Sequence, residues 1–72
     1  MKVSLQPFRD IVNRETHYPN TRTRIEIADA CGMSLSMMNA IMSGSVDSIS
    51  LASAARIMEA MRCDFSDIVS IK

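Results

Sequence analysis

Glycine occurs twice in these 72 residues, proline twice, histidine once and tryptophan not at all. Both glycines fall at the ends of apolar-periodic segments, which excludes a glycine-rich phosphate loop. Nucleophilic catalysis needs a base beside a serine or cysteine, and His17 has no evident partner. No catalytic residue and no small-molecule substrate are expected, and the chain reads as a non-enzyme. Two cysteines and one histidine give no metal-ligand spacing and no disulfide framework, so Cys31 and Cys63 read as reduced packing residues. No metal or other cofactor is expected. No apolar run approaches the roughly 20 residues that span a bilayer, and the start, "MKVSLQPFRD", lacks the apolar core of a signal peptide. The expectation is a cytoplasmic protein without a membrane partner.

Charge of either sign is not in excess, since eight basic residues balance eight acidic ones. There is no global positive field to draw the chain towards phosphate, so any nucleic-acid affinity must come from local placement. Aromatics are scarce as well: Phe8, Tyr18 and Phe65 stand against seven methionines. That balance favours small helical contacts over a β-sandwich. With no internal repeat, low-complexity tract or linker, residues 1–72 read as a single all-α domain, small enough to be marginally stable unless it is very regular or oligomeric.

What is present is a succession of helix signals. "QPFRDIVNRETH" places Phe8, Ile11, Val12 and Glu15 at helical spacing, and Pro7 is tolerated because it lies in the first turn. "YPNTRT" is a loop. Thr23 followed by Glu26 fits a capping box, opening a second helix from about Arg24 to Cys31 that buries Ile27, Ala28 and Cys31. Gly32 supplies positive φ at the corner. Ser34 can cap a third helix, about Leu35 to Ser43, which buries Met38 and Ile41 and stops at Gly44. After the loop "SVDSIS", Ser50 caps a fourth helix with a stripe of Leu51, Ala54, Ala55, Met58 and Met61. Asp64, with Asp67 three positions on, caps a last turn carrying Phe65 and Ile68. At the two ends "KVSL" and "DIVSIK" alternate. They suit a small antiparallel ribbon or a dimer edge, although a pair of strands this short is marginal alone.

Two short helices meeting at a steep angle need a small residue at their closest approach and a glycine at the corner, which Ala28 and Gly32 provide. Ile27, Met33, Met38 and Ile41 then face inwards, and the outer face of the third helix is left free. The order Ile27-Ala28, Gly32-Met33-Ser34, Met38, Ile41, Gly44 resembles the lambda-repressor-like (Xre or Cro-type) helix-turn-helix family. "ISLASAARIMEAMRCDFSDIV" is similar to that family's fourth helix and closing turn, so the resemblance spans about residues 24 to 69.

The resemblance implies about five short helices, a helix-turn-helix proper at 24–43, and a transcriptional regulator, often dimeric, whose third helix enters the major groove of duplex DNA. Carried over by position, Arg22, Thr23 and Arg24 approach phosphate and neighbouring bases. Ser34, Leu35, Ser36, Asn39 and Ala40 lie at the start and on the groove-facing side of the third helix. Ser43 and the loop from Ser45 to Ser48 fall where backbone contacts lie. Asn39 is the one groove residue able to make a two-pronged contact, with adenine its natural partner, while Leu35 and Ala40 suit thymine methyls. Arg14 is a third cation that could join Arg22 and Arg24. Two or three phosphate contacts per subunit bind weakly unless a homodimer doubles them.

A rival reading uses the same helix. Leu35, Met37, Ala40 and Met42 can form an apolar, methionine-containing outer patch, and such surfaces suit protein partners. Phage and mobile elements encode small proteins of this fold that bind and inactivate a repressor, and the sequence is compatible with that antirepressor-type role.

Overall fold

The computed structural model describes residues 3–71, in the order β1 (Val3–Ser4), α1 (Gln6–Thr16), α2 (Arg24–Ala30), α3 (Leu35–Ser43), α4 (Leu51–Met61), α5 (Phe65–Ile68) and β2 (Ser70–Ile71). Hydroxyl side chains start the three middle helices. Thr23 Oγ1 accepts from the Glu26 amide at 3.2 Å, Ser34 Oγ from Met37 at 3.1 Å and Ser50 Oγ from Ser53 at 3.1 Å. Each such cap satisfies an amide that the helix cannot pair internally and contributes about 1 kcal/mol. At the last turn, the Asp64 amide donates to the Asp67 carboxylate at 2.9 Å.

The ends of the chain meet. β1 and β2 pair antiparallel, Val3 opposite Ile71 and Ser4 opposite Ser70, so the expected terminal ribbon is formed. Lys2 and Lys72, outer members of the two segments, lie outside the described residues. The core draws on every helix: Leu5, Phe8 and Val12 from the start of the chain and α1, Ile27, Ala28 and Cys31 from α2 and its end, Met38 and Ile41 from α3, Ala54 and Ile57 from α4, with Ile68 and Val69 closing it.

Two expectations need correction. α2 ends at Ala30, and Cys31 is its C-cap. More consequentially, the inward face of α4 is Ala54 and Ile57, with Met58 and Met61 half-buried, while Leu51 and Ala55 are exposed. The expected stripe omitted Ile57. A stripe through 54, 57, 58 and 61 already fills the hundred-degree sector that faces the core, so Leu51, at the first position of α4, and Ala55, one turn on, fall outside it. Similarly, Phe65 keeps part of its ring in solvent while Ile68 is buried.

The loop after α3 is held from beneath. Arg9 projects from α1 into the interior, where its Nε donates to the Ile41 carbonyl at 2.6 Å and Nη1 to Gln6 Oε1 at 3.2 Å. Its Nη2 donates to the Val46 carbonyl at 3.4 Å and forms an ion pair with Asp47. Asp47 also accepts the Leu5 amide at 3.2 Å. One guanidinium thus ties α1 to the last turn of α3 and to the loop behind it.

Candidate functional site

The corner between α2 and α3 is set by backbone geometry. The Gly32 amide donates to the Asp29 carbonyl at 3.1 Å and the Met33 amide to Ala28 at 2.9 Å. Gly32 itself has φ +69°, a conformation costly to any residue with a Cβ. A Cβ there would lie 3.1 Å from Nη1 and 3.2 Å from Cδ of Arg56, whose side chain crosses over the corner from α4. Gly32→Ala is therefore expected to cost about 1–2 kcal/mol, mostly backbone strain, and to lower the unfolding midpoint by roughly 5–15 °C. A thermal melt followed by far-UV circular dichroism checks it; an unchanged midpoint would mean that the corner does not need its glycine.

With the corner fixed, α3 divides cleanly. Met38 and Ile41 are buried; Met37, Ala40 and Met42 are half-buried, the two methionines packed against the core; Leu35, Ser36, Asn39 and Ser43 are exposed. The exposed positions follow helical spacing of three and four residues, so they share one face. Among the expected site residues, Leu35, Ser36, Asn39 and Ser43 come together there. α3 carries no charged residue.

Charge reaches that face from α2. Arg24, the first residue of α2, donates from Nη1 to Asn39 Oδ1 at 3.1 Å. The bond orients the amide: with Oδ1 turned to the guanidinium, Nδ2 and its two protons point away from Arg24, and Oδ1 keeps a second lone pair. A cation and a bidentate-capable amide are thereby presented side by side on an exposed surface. Ile25, next to Arg24, is exposed as well.

The remaining expected residues have partly structural employment. Thr23 and Ser34 spend a lone pair each on capping. The Ser43 hydroxyl donates to the Ala40 carbonyl at 3.1 Å and lies 3.0 Å from that of Ser45. Burial raises the Cys31 thiol's pKa above the ordinary range; the half-buried Arg22 offsets part of that rise, and Cys63 adds to it. Cys63 is raised too, by burial and then by Asp67 and Asp64. Neither thiol has the depressed pKa that makes a cysteine reactive.

Comparison with known proteins yields no match to a family model, a curated protein or a solved structure. The geometry of the chain itself therefore carries the functional reading.

Arg14 does not join Arg24. It lines a cleft of about 470 Å³ with Asp10, Glu15, Arg62 and Asp67, none of them from α2 or α3. Sequence reasoning singles out Phe8, Ile11, Val12 and Glu15 on the first helix and passes over Arg9. The signal was present: Leu5, Phe8, Arg9 and Val12 follow the spacing of a buried helical stripe, so Arg9 had to find an acid and carbonyls inside. The Asp47 carboxylate, in the loop after α3, is the acid that answers Arg9. No helix among the described residues is long and apolar enough to cross a membrane.

Proposed function

We propose that this chain is a small helix-turn-helix regulator of the lambda-repressor-like kind that binds duplex DNA as a homodimer, with α3 lying in the major groove. The observation that carries the reading is the Arg24–Asn39 hydrogen bond on the exposed face of the α2–α3 unit. Asn39 reads adenine through its N6 and N7 edge. Arg24 is adjacent to the backbone, where one guanidinium can contact a phosphate and steady Asn39 at once. Ser36 reaches a base edge, Leu35 and the half-buried Ala40 meet thymine methyls, and Arg22, Thr23, Ser34 and Ser43 approach the strands on either side. The neutral α3 and the acid in the following loop keep the electrostatic contribution small, so the affinity depends on two subunits engaging two half-sites one helical turn apart.

Nuclear magnetic resonance mapping tests the surface. On titration with a random-sequence duplex at low salt, amide and side-chain shifts are expected to concentrate at Thr23, Arg24, Ser36, Asn39 and Ser43 and to fade as salt rises. Shifts centred elsewhere, or none at low salt, would count against the reading.

A second reading has one observation in its favour: Ile25 and Leu35 are exposed apolar side chains on the two helices that carry Arg24 and Asn39. In it the α2–α3 face binds another regulatory protein, as an antirepressor does, with Leu35, Met37, Ala40 and Met42 as contacts. The half-burial of Met37 and Met42 leaves that patch narrower than the sequence alone implies.

A further inference from the structure

The cleft that Arg14 lines, about 470 Å³ in volume, lies between α1 and the junction of α4 with α5. Small-molecule sites typically occupy about 300–1,000 Å³. Pro7, Ile11 and Met61, all half-buried, give the cleft an apolar lining. Around it stand the guanidiniums of Arg14 and Arg62 and the carboxylates of Asp10, Glu15 and Asp67.

These charges do not cancel one another. Asp10 and Arg14 are four residues apart on α1 with the acid N-terminal, the arrangement that favours a helical ion pair. Yet among the described residues no ion pair joins either cleft arginine to a cleft acid. Asp10 turns instead to Gln6, whose Nε2 donates to Oδ1 at 2.9 Å, and Asp67 Oδ2 accepts the Asp64 amide at 2.9 Å. Glu15 is half-buried, and its carboxylate, like the guanidiniums of Arg14 and Arg62, has no partner among the described residues. Arg62 stands at the rim against backbone preference. It ends α4 at φ 52°, a left-handed conformation that glycine takes without strain; an arginine there puts a guanidinium beside the cleft.

We propose that this cleft binds a small zwitterion with an apolar side chain, the chemistry of a free aliphatic α-amino acid. Its carboxylate meets Arg14 and Arg62, whose planar forks match a carboxylate in two-pronged fashion. Its ammonium meets Glu15, with Asp10 and Asp67 beside it, and its side chain lies on Ile11, Met61 and Pro7. The mixed charge selects this class. A simple anion faces three carboxylates and a simple cation two guanidiniums, so part of the lining repels each of them, whereas a zwitterion satisfies both signs. The ligand touches α1 on one side and the α4–α5 junction on the other, and by binding only where these elements are assembled it stabilises the fold. None of the lining residues comes from α2 or α3. The site is therefore separate from the Arg24–Asn39 face and does not rest on the DNA reading.

Titration of the isotope-labelled full chain with L-leucine and with L-methionine, followed by nuclear magnetic resonance, tests the site. Saturable shifts are expected at Ile11, Arg14, Glu15, Arg62 and Cys63, with a Kd of about 0.1–10 mM, as befits so small a ligand. Isoamylamine, which is leucine without its carboxylate, and isocaproate, which is leucine without its ammonium, should each bind at least tenfold more weakly. Arg62→Gly should weaken leucine binding about tenfold while leaving the thermal midpoint the same or higher, because glycine relieves the left-handed strain. Glu15→Gln should weaken it as well. Arg56→Gln, on α4 but outside the cleft, should leave the Kd as it is. The proposal is overturned by any of four results: no saturable shift with either amino acid up to tens of millimolar, shifts centred outside the cleft, isoamylamine or isocaproate binding as tightly as leucine, or undiminished binding in Arg62→Gly.

Discussion

Arg9→Ala is expected to lower stability by about 3 kcal/mol, and with it the thermal midpoint by roughly 15 °C. For a domain of 72 residues whose whole stability is on the order of 4–10 kcal/mol, that is a large fraction. The physical reason is the number of groups abandoned at once. The Ile41 and Val46 carbonyls lose their guanidinium donor, the Asp47 carboxylate loses its cation, and the space filled by the arginine stem empties.

Asp47→Ala should cost less, about 1–2 kcal/mol, because the carboxylate is half-exposed and Arg9 retains its bonds to carbonyl oxygens. Replacing both by apolar residues is not the harmless exchange sometimes found for buried ion pairs, since the Val46 carbonyl would lose its guanidinium donor and the Ile41 carbonyl would keep only the Gly44 amide. Differential scanning calorimetry of the three variants decides the order. If Arg9→Ala melted within a degree or two of wild type, the loop after α3 would be held by something other than this guanidinium.

The second large effect is on recognition. Asn39→Ala should flatten discrimination at one base pair of each half-site by about 1–3 kcal/mol. Arg24→Ala should act twice over. It removes one phosphate contact per subunit, lowering affinity for every sequence and reducing the salt slope by about one per subunit. It also releases Asn39 Oδ1 and so blurs the same base pair that Asn39 reads. The two changes share a hydrogen bond, and the double variant should lose measurably less than the two single losses added together. Strict additivity, with Arg24→Ala leaving base preference intact, would show that the two side chains work independently on DNA.

How much of this was legible beforehand differs by element. The helix starts were visible because a cap is a local device: Thr23, Ser34 and Ser50 each stand three residues from the amide they satisfy. The outer face of α3 followed from the period of Met38 and Ile41, and Leu35, Ser36, Asn39 and Ser43 are exposed as that period requires. The ribbon was suggested by alternation at both chain ends.

What was not legible is long-range or departs from a local rule. Arg9 and Asp47 are 38 positions apart, and nothing in the loop's own sequence announces its partner. The Arg24–Asn39 bond joins two residues that were chosen separately, each for a different reason. On α4 the pattern contained more apolar residues than one face holds, and only packing reveals that Ile57 rather than Leu51 turns inwards. The end of α4 carries no glycine; Arg62 takes the left-handed conformation there, with φ 52°, a stop that propensity alone would not place.

The most direct measurement is selection from a random duplex library, run at low and near-physiological salt on wild type, Asn39→Ala and Arg24→Ala. The expected result is enrichment of a two-fold symmetric sequence with an adenine at the same place in each half-site, its preference lost with Asn39→Ala and weakened with Arg24→Ala. Salt-sensitive retention without enrichment, identical in all three proteins, would contradict DNA reading by α3 and point to a protein as the partner of that face.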